Sequence, residues 1–348
     1  MSAAAAGQGG SAARRRIVSG TRPTGRLHLG HLLGALRNWI RLQDEDAECF
    51  FFVADWHALT TGWQDTAGIR ASTHDMVLDW LAAGLDPHKV VLFVQSAVPA
   101  HAELHLLLSM IVPTPWLLRN PTIKEQAREL GLLSDDDDSA MSQLNYGMLG
   151  YPVLQSADIL VYRAASVPVG IDQVPHLEMT REVARRFNHL YRRVLPEPEA
   201  LLTESPKIPG TDGRKMSKSY NNAVYLTETD EEITTKLSRM ATDPRRVRRT
   251  DPGDPGDCPA FNLHRIYCTP EEIEVVTAGC RSAAIGCLDC KRIMIPHVLA
   301  DLGPIRARRA ELAQRPGVVA EVLAAGNARA RVAAEETMAQ VRDAMQLN

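Results

Sequence analysis

The sequence of 348 residues has no long apolar run, no large excess of charge and no internal repeat. No segment approaches the roughly 20 apolar residues that a membrane-spanning helix needs, so we do not expect a membrane protein. The formal net charge of −3 argues against a protein that coats nucleic acid nonspecifically, although it leaves room for a local basic patch. Hydrophobic residues make up 45% and charged residues 23% of the chain, which is ordinary for a soluble protein with one large core or two moderate ones.

The N-terminal segment lacks the apolar stretch that a secretory signal requires. Residues 1–13 are rich in Ala, Gly and Ser, and three arginines follow them at 14–16. We expect a disordered tail over residues 1–13, with an organellar transit peptide as the alternative, and we expect a cytoplasmic protein.

Short β-rich runs alternate with longer helical patterns through the first half of the chain. The apolar run at 49–54 (CFFFVA) is typical of a strand that is buried on both faces. We predict strands at 16–19, 49–54, 90–94 and 167–169, and helices at 29–42, 69–83, 101–111, 175–193 and 318–345. The pattern weakens over 120–150, where the acidic run at 135–138 is typical of a solvated loop, and 204–222 also has the composition of a loop. The alternation indicates a parallel sheet with right-handed crossovers, followed by a mostly helical region.

A glycine-containing turn with two histidines lies between the first predicted strand and the first predicted helix. Residues 19–31, which we call the histidine turn, read SGTRPTGRLHLGH, with His28 and His31 at the start of the helix. Glycine lets the backbone approach a ligand closely, and the free N–H groups of a helix N-terminus suit phosphate. Imidazoles in this place can donate hydrogen bonds to a phosphorus centre as its charge develops. The alternative is a helix-capping turn with two incidental histidines.

A second motif, KMSKS at 215–219, ends a glycine-containing loop at 210–219 that we call the lysine loop. Its lysines, Lys215 and Lys218, can close over a triphosphate and neutralise a pyrophosphate leaving group. Alone such a loop is weak evidence for phosphate binding. It follows the histidine turn by about 190 residues, and the two motifs together are strong evidence. We predict four catalytic residues: His28, His31, Lys215 and Lys218.

The two motifs resemble the HIGH and KMSKS signatures of class I aminoacyl-tRNA synthetases. Residues 53–60 (VADWHALT), 151–160 (YPVLQSADIL) and 167–173 (VPVGIDQ) are similar to bacterial tryptophanyl-tRNA synthetases, and the resemblance runs from about Ile17 to the C-terminus. It implies ATP-dependent activation of L-tryptophan to tryptophanyl-adenylate and transfer to tRNA(Trp), with release of pyrophosphate and AMP.

The resemblance also implies an architecture and an assembly. The fold class would be α/β, with a Rossmann-like parallel-sheet catalytic domain at 14–218 and a smaller all-helical anticodon-binding domain at 219–317. A C-terminal helix at 318–348 would pack back on the catalytic domain. The resemblance further implies a homodimer, and Mg²⁺ that is carried by ATP with few or no protein ligands.

The same resemblance implies roles for individual residues. Asp158 would accept the indole N–H, which is only a donor, and a phenylalanine side chain would leave that carboxylate unpaired. Tyr151 and Gln173 would hold the α-amino group. The implied tryptophan pocket consists of Asp158, Tyr151, Gln173, His57, Gln155, Val167 and Val169. The implied ATP site consists of Arg22, Pro23, Thr24, Gly30, His31, Gly170, Ile171, Asp172, Ile208, Lys215, Met216, Ser217, Lys218 and Ser219.

Three positions depart from the family pattern. Arg22 stands where Gln is common, Ile171 where Glu is common, and Gln155 where Met is common. Arg22 adds a charge that can meet the triphosphate, and Gln155 changes the packing of the pocket.

Five of the six cysteines lie close together in the sequence, and such crowding suggests a metal more than disulfides. Four of them have the spacing C-x21-C-x6-C-x2-C: Cys258, Cys280, Cys287 and Cys290. Four sulfurs fit a [4Fe–4S] cluster or a structural zinc ion, and free thiols are the third interpretation. A subset of tryptophanyl-tRNA synthetases is known for a [4Fe–4S] cluster at C-x22-C-x6-C-x2-C. This resemblance makes the cluster our prediction, with Cys268 as a non-ligand.

Arginines are concentrated in the same part of the chain, at 245–249 (RRVRR) and at Arg306, Arg308 and Arg309. Arginine side chains commonly contact nucleic-acid phosphates. We expect some of them to touch tRNA, and the alternative is a solvated basic face.

Three other kinds of protein could carry these motifs. A tyrosyl-tRNA synthetase has the same architecture and both signatures. A non-catalytic synthetase-like protein would retain the fold as a binding or regulatory partner, although the intact lysines and histidines argue against it. Another nucleotidyltransferase with an HxGH motif is the third, and the long cysteine-bearing helical region argues against it.

Overall fold

The computed structural model describes residues 14–129, 131, 144–170, 173–202 and 208–347. The predicted tail at 1–13, the acidic run at 135–138 and two predicted ATP-site residues, Ile171 and Asp172, lie outside these ranges. Within these ranges, no helix is both long enough and apolar enough to cross a membrane.

A parallel sheet of five strands, in the order β3-β2-β1-β4-β5, lies at the centre of the fold. The strands are β1 Arg15–Thr21, β2 Ala47–Val53, β3 Val91–Val94, β4 Ser166–Val169 and β5 Glu199–Leu202. In the longest pairing, Arg15 of β1 lies opposite Ala47 of β2, and Thr21 lies opposite Val53. The four predicted strands and their parallel arrangement are confirmed. The reason is that their apolar runs are buried on both faces of the sheet.

The fifth strand, β5, is not predicted by the sequence. It pairs with β4 at the edge of the sheet, with Ser166 opposite Glu199 and Val169 opposite Leu202. Three of its four residues are exposed, and its sequence EALL contains no β-branched or aromatic residue. Neither composition nor alternation therefore marks this segment as a strand.

Helices surround the sheet, and loops such as the lysine loop connect them. The helices are α1 Leu29–His31, α2 Arg37–Leu42, α3 Asp55–Gly62, α4 Ile69–Ala83, α5 Ala100–Ser109, α6 Thr114–Leu118, α7 Pro121–Glu129, α8 Tyr146–Leu160, α9 Val174–Leu190, α10 Asp230–Ser238, α11 Pro259–Tyr267, α12 Pro270–Arg281, α13 Cys287–Ala313 and α14 Val318–Ala344. The predicted helix at 29–42 consists of α1, a π-helical turn at Leu32–Leu36 and α2 in direct succession. The predicted helix at 69–83 coincides with α4.

One helix, α7, lies inside the segment 120–150 where the sequence shows no clear period. Its start is capped by Asn120, whose side-chain oxygen accepts the backbone N–H of Thr122 at 2.9 Å. An asparagine cap of this kind satisfies a backbone donor that the helix itself leaves unpaired. The capping residue is therefore the sequence signal that a periodicity search does not detect.

Two hydrophobic cores lie on opposite faces of the sheet. Successive residues of the central strands contribute to them in turn: Val18, Phe50 and Phe52 belong to one core, whereas Ile17 and Phe51 belong to the other. This alternation is the period of two that a strand imposes. Helices α5, α8, α9 and α14 contribute to the first core, and α4, α10, α11 and α13 to the second.

The C-terminal helix α14 lies against the edge strand β3. The side chain of Asn327 accepts the backbone N–H of Val94 at 3.0 Å, and Arg329 donates to the carbonyl of Val90 at 3.1 Å. A Cβ atom on Gly326 would lie only 1.7 Å from the carbonyl oxygen of Leu92. Gly326 thus lets α14 approach β3 closely. Polar side chains of α14 satisfy backbone groups along this edge of the sheet.

Candidate active site

The histidine turn begins the helix that follows β1. The Nδ1 atom of His28 accepts the backbone N–H of Gly30 at 3.1 Å, and Nδ1 of His31 accepts the backbone N–H of His28 at 3.2 Å. A Cβ on Gly30 would lie 2.9 Å from the ring of His28, which explains the glycine between the two histidines. Because both Nδ1 atoms are acceptors, each neutral ring carries its hydrogen on Nε2.

Both imidazoles are neutral at physiological pH. Burial, with a smaller contribution from the charge of Lys218, lowers the pKa of His28 to about 4. Burial, with contributions from His28 and Lys218, lowers the pKa of His31 to about 3. The ring centroids lie 3.8 Å apart. The pair therefore provides two adjacent neutral N–H donors at a helix N-terminus, and it does not act as a source of positive charge.

Backbone pairing brings the second motif to the first. The N–H of Leu29 donates to the carbonyl of Val224 at 3.0 Å, and the N–H of Leu226 donates to the carbonyl of Leu27 at 3.0 Å. These bonds flank an antiparallel bridge between His28 and Tyr225. The chain that follows the lysine loop is thus held against the histidine turn, so the two motifs lie next to each other.

The lysines of the loop occupy different environments. Lys218 is half-buried, and its ammonium donates to the carbonyl oxygen of Thr24 at 2.8 Å. Burial lowers the pKa of Lys218 to about 8. Lys215 is exposed and forms a bridge with Pro209, while the N–H of the buried Met216 donates to the carbonyl of Ile208 at 3.0 Å. One lysine therefore lies against the histidine turn and the other faces solvent.

A buried asparagine that the sequence did not single out, Asn222, organises the lysine loop. Its side-chain oxygen accepts the N–H of Ser217 at 2.7 Å, and its amide donates to Asp212 at 2.7 Å and to the carbonyl of Lys215 at 3.1 Å. A Cβ on Gly210 would lie 2.2 Å from Asn222, so this glycine makes room for it. Asn222 lies three residues beyond the KMSKS motif, but a polar residue in a loop has no sequence pattern that marks it as buried.

Four further predicted ATP-site residues lie at the carboxyl edge of the sheet. Arg22, Pro23 and Thr24 directly follow β1, and Gly170 directly follows β4. β1 and β4 are neighbours in the parallel sheet, so these residues lie at the same edge, where open α/β folds bind ligands. Arg22 and Thr24 are exposed and Pro23 is buried, while Ser219 is exposed in the lysine loop.

The predicted tryptophan-pocket residues come from α3, α8, β4 and the start of α9. On α8, Tyr151, Gln155 and Asp158 are spaced by four and three residues, which places them on one helix face. Val167, Val169 and Tyr151 belong to the same core. The remaining predicted residues are His57, whose ring centroid lies 6.4 Å from that of Tyr151, and Gln173, which directly precedes α9.

Arg22 links the two groups of residues. Burial raises the pKa of Tyr151, and the charge of Arg22 opposes that rise. The charge of Arg22, a predicted ATP-site residue, therefore acts on the phenol of Tyr151 in the predicted tryptophan pocket.

Asp158 is fully buried and hydrogen-bonded by side chains of three other elements. Its Oδ2 lies 2.7 Å from Nε2 of His57, and its Oδ1 lies 2.7 Å from the amide of Gln95 and 2.6 Å from Nδ1 of His101. Burial alone would raise the pKa of Asp158, but the charge and hydrogen bonds of His57 and His101 lower it below its usual range. The carboxylate is therefore ionised.

The sequence analysis identified His57 and Asp158 but missed Gln95 and His101. Gln95 directly follows β3, and His101 lies in the first turn of α5. A polar residue at the carboxyl end of a buried strand is a usable signal, and it was available for Gln95. His101 carries no such signal because a single histidine on an apolar helix is usually a core residue.

The four predicted metal-ligating cysteines are neighbours in the structure, and all are free thiols. Burial, followed by the effect of Cys258, Cys280 and Cys287, raises the pKa of Cys290 to about 12. A zinc ion binds thiolates at about 2.3 Å, which places the sulfurs of a tetrahedral site roughly 3.8 Å apart. Among the described residues, no three of these sulfurs lie mutually within 4.8 Å. The set is thus wider than a single zinc ion requires.

Hydrogen-bond donors surround the cysteines. His264, fully buried, lies 3.2 Å from Sγ of Cys290 through Nε2 and 3.2 Å from Sγ of Cys268 through Nδ1. Burial raises the pKa of Cys280, and the nearby Arg246 opposes that rise. Sulfur ligands of an iron–sulfur cluster commonly receive such bonds.

A second group of side chains that could hold a metal ion lies nearby, at the end of α11 and on α12 and α13. One ligand atom from each of Cys268, Glu272 and His297 falls within 4.8 Å of the others. Glu272 already accepts the backbone N–H of Thr269 at 2.9 Å as a helix cap, and it lies 3.0 Å from Nε2 of His297. These contacts satisfy the carboxylate without a metal.

The arginines do not form one basic surface. Arg306 pairs with Asp230, Arg308 donates to the carbonyl of Ala82 at 3.0 Å, and Arg309 donates to Asp79 at 2.6 Å. These three each contact the protein itself, and the expectation that some of the arginines touch tRNA stays a prediction. Arg248 and Arg249 are exposed.

Comparison with known proteins identifies the family. Residues 11–295 match the family described as "tRNA synthetases class I (W and Y)". The tryptophan–tRNA ligase of Thermotoga maritima is 51% identical over 333 residues, which cover 95% of this chain and 99% of that protein. That of Aquifex aeolicus is 45% identical, over 95% of this chain and 100% of that protein.

A solved structure has the same fold. The crystal structure of tryptophanyl-tRNA synthetase from Campylobacter jejuni, complexed with ADP and tryptophan, matches with a TM-score of 0.81 at 29% identity, over 95% of this chain and 100% of that chain. The predicted fold class, a parallel α/β sheet with a helical C-terminal region, is confirmed. With the histidine turn and the lysine loop in contact and relatives similar along their whole length, the chain belongs to the class I tRNA synthetases of the W and Y family.

Proposed function

We propose that this protein is a tryptophan–tRNA ligase. It forms tryptophanyl-adenylate from L-tryptophan and ATP with release of pyrophosphate, and it transfers the aminoacyl group to tRNA(Trp) with release of AMP. The observation that carries the proposal is the contact of Lys218 with the turn that contains His28 and His31. Relatives that are 45% and 51% identical along almost their whole length are named for this activity.

The geometry supports a division of labour in the first step. A carboxylate oxygen of tryptophan forms a bond to the α-phosphorus, and the bond from that phosphorus to the bridging oxygen of pyrophosphate breaks. His28 and His31 donate hydrogen bonds through Nε2 as charge develops on the phosphoryl oxygens. Lys218 and Lys215 neutralise charge on the leaving pyrophosphate, and Mg²⁺ enters as part of the ATP substrate.

Selection of tryptophan rests on Asp158. Each carboxylate oxygen has two lone pairs, and the hydrogen bonds of Gln95 and His101 use both on Oδ1. His57 uses one on Oδ2, so one acceptor position remains. An indole N–H fills it with a single hydrogen bond. A phenylalanine side chain offers no donor and leaves this acceptor unpaired in a buried site.

Pyrophosphate exchange with single amino acids tests the proposal. Tryptophan should support exchange between pyrophosphate and ATP, and tyrosine and phenylalanine should not. Exchange with tyrosine in preference to tryptophan would establish the tyrosyl alternative. Absence of both exchange and tRNA charging in a folded preparation would establish the non-catalytic alternative.

For the cysteines, we propose a [4Fe–4S] cluster held by Cys258, Cys280, Cys287 and Cys290, with a zinc ion as the alternative. The wide spacing of the sulfurs supports the cluster, because each iron atom takes one thiolate and the ligands are further apart than around one zinc ion. Anaerobic purification with iron, sulfide and zinc analysis and a visible absorption spectrum tests this. A colourless protein with one equivalent of zinc would overturn it.

We also propose a homodimer in the cytoplasm. Leu106, Met110 and Tyr146 are large side chains on neighbouring helices, and they are 54%, 70% and 63% exposed. An apolar face of this kind is expected at a protein interface. The six cysteines, all of them among the described residues, form no disulfide, which suits a reducing compartment. Light scattering of the wild type and of Met110→Glu tests the dimer, since a monomeric wild type would contradict it.

For tRNA, we propose that residues 14–218 form the catalytic domain, that residues 219–317 bind the anticodon region, and that residues 318–348 belong with the catalytic domain. Contacts of α14 with β3 support the last assignment. Arg248 and Arg249, which are exposed, are candidates for phosphate contacts. Charge reversal of both should weaken tRNA binding and reduce its salt dependence, and unchanged binding would exclude them.

A further inference from the structure

A chain of buried polar groups extends from Asp158 into the protein interior. Nδ1 of His101 lies 2.6 Å from Oδ1 of Asp158, and Nε2 of the same ring lies 2.7 Å from the hydroxyl of Tyr162. Gln95, His101 and Tyr162 are each fully buried. Polar groups placed so deeply are costly unless each has its partner, so the network must be satisfied as a unit.

The orientation of the His101 ring follows from its two partners. An ionised carboxylate only accepts, so Nδ1 of His101 donates to Asp158. Nε2 of the same ring is hydrogen-bonded to the hydroxyl of Tyr162 at 2.7 Å. Burial and the charge of Asp158 raise the pKa of Tyr162 well above its ordinary value, so this hydroxyl keeps its proton. Tyr162 therefore holds the His101 ring with Nδ1 towards Asp158.

Tyr162 is itself held rigidly by aromatic neighbours. Its ring stacks on Phe50, with centroids 4.7 Å apart, and meets Phe93 edge to face at 5.4 Å. His101 lies 5.8 Å from Phe52 and 5.9 Å from Phe93 between ring centroids. Aromatic residues of the strands thus hold Tyr162 at the inner end of this polar network. His101, which joins Tyr162 to Asp158, in turn holds one carboxylate oxygen.

Gln95 completes the arrangement from the other side. Its amide donates to Oδ1 of Asp158 at 2.7 Å, while its side-chain oxygen accepts the backbone N–H of Trp56 at 3.2 Å. The second bond fixes which end of the amide faces the carboxylate. Oδ1 consequently receives two donors from the interior, and the remaining acceptor position is on Oδ2.

We infer that Tyr162, His101 and Gln95 are positioning residues that orient the Asp158 carboxylate and thereby set selectivity for an amino acid whose ring carries an N–H donor. This inference rests on the proposed function. None of the three need touch the substrate, because they act through Asp158. If they merely stabilise the fold, substrates with and without the N–H will be affected alike.

The test compares tryptophan with β-(3-benzothienyl)alanine, in which sulfur replaces the indole N–H at nearly the same ring size. For each variant, pyrophosphate exchange gives kcat/KM for both amino acids, and their ratio reports the contribution of the N–H. Tyr162→Phe should lower the ratio about tenfold, the size expected for one lost hydrogen bond to the histidine. His101→Leu should lower it roughly a hundredfold, since it also removes the donor to the carboxylate.

Three controls separate positioning from general disruption. His101→Asn keeps a donor near the Nδ1 position and should recover most of the ratio that His101→Leu loses. Ser156→Ala changes another buried polar residue of α8, which bonds the carbonyl of Pro152 at 2.8 Å and Thr180 at 3.0 Å, and should leave the ratio unchanged. The KM for ATP should change less than twofold in the Tyr162 and His101 variants.

The outcomes distinguish the inference from the proposed function. If the wild type prefers tryptophan but the ratio is the same in Tyr162→Phe, His101→Leu and wild type, the inference is wrong and the proposed function stands. If the wild type does not use tryptophan, both are wrong. His101→Leu is the variant most prone to misfold, and Tyr162→Phe, which keeps the ring packing, then decides the question alone.

Discussion

The ammonium of Lys218 donates a hydrogen bond to the carbonyl oxygen of Thr24 at 2.8 Å, across a sequence separation of 194 residues. The contact places the one half-buried lysine of the KMSKS motif directly on the turn that carries His28 and His31. A carbonyl is a neutral acceptor, so a phosphate oxygen competes with it effectively for the cation. The lysine loop is thus already positioned over the place where a triphosphate would meet the helix N-terminus.

Lys218 should give ATP binding a pH dependence in the alkaline range. Its pKa is lowered to about 8, so its charge is present below that pH and lost above it. The KM for ATP should rise between pH 8 and pH 9.5 in pyrophosphate exchange by the wild type. In Lys218→Arg the guanidinium remains charged, so the KM should stay level across the range. A parallel rise in both proteins would assign the titration to another group.

Asn222→Ala should impair catalysis without impairing tryptophan binding. The change removes three hydrogen bonds that hold the lysine loop, at a cost of about 1–3 kcal/mol for the buried groups left unpaired. We expect kcat to fall roughly 10- to 100-fold, with an unchanged KM for tryptophan.

The matched control is Asn120→Ala, another buried asparagine, which caps α7. It should lower the free energy of unfolding by about 1 kcal/mol and leave kcat unchanged. A similar loss of kcat in both variants would mean that stability, and not the loop, limits activity.

Gly326→Ala should destabilise the protein because the added methyl group meets the backbone of Leu92. We expect a loss of about 1–3 kcal/mol or more in the free energy of unfolding, measured in urea. Gly303→Ala provides the comparison, because it lies in α13 with nothing within 4 Å of the added Cβ. It should stabilise by about 0.5–1 kcal/mol through helix propensity. Equal effects of the two substitutions would contradict the close packing of α14 on β3.

Arg309→Ala should be strongly destabilising at neutral pH. It leaves the carboxylate of Asp79 buried without its partner, for which about 3–5 kcal/mol is expected. Burial already raises the pKa of Asp79 in spite of Arg309, and loss of the arginine raises it further. A group whose pKa is higher in the folded state takes up a proton on folding, so the deficit should shrink as the pH falls from 7 to 5.

Two variants check this explanation. Asp79→Asn combined with Arg309→Ala should show a deficit that no longer depends on pH. Arg306→Ala, which loses a partner that is largely exposed, should cost less than about 1 kcal/mol. A deficit for Arg309→Ala that is constant from pH 7 to 5 would mean that Asp79 is not its source.

Several features could be predicted from the sequence because their signals are local. The apolar runs of β1 to β4 and the periodic pattern of α4 reflect burial that repeats along the chain. β5 and α7 escaped prediction because an exposed edge strand and a capped polar helix have no such repetition. The motif residues His28 and Lys218 were identifiable because their neighbours in the sequence belong to the same recognisable string.

The partners of these residues could not be predicted in the same way. Gln95 follows β3, His101 lies in α5 and Tyr162 lies in the turn after α8, and they meet only because parallel strands and their crossover helices bring those segments together. Asn222 looks like any polar residue of a loop until Gly210 and Ser217 are folded around it. Arg306 and Arg309 look like a basic surface until their partners on other helices are known.

The sequence by itself determined the parallel α/β architecture, the two motifs that we propose to bind phosphate and the residue type that can receive an indole N–H. These depend on local periodicity and on the chemistry of single side chains. Only the tertiary structure decided which lysine lies on the histidine turn, which nitrogen of His28 and of His31 carries its hydrogen, and which oxygen of Asp158 remains an acceptor. Those properties depend on hydrogen bonds between distant segments, and a hydrogen bond is specified by distance and direction in space, which the order of residues does not contain.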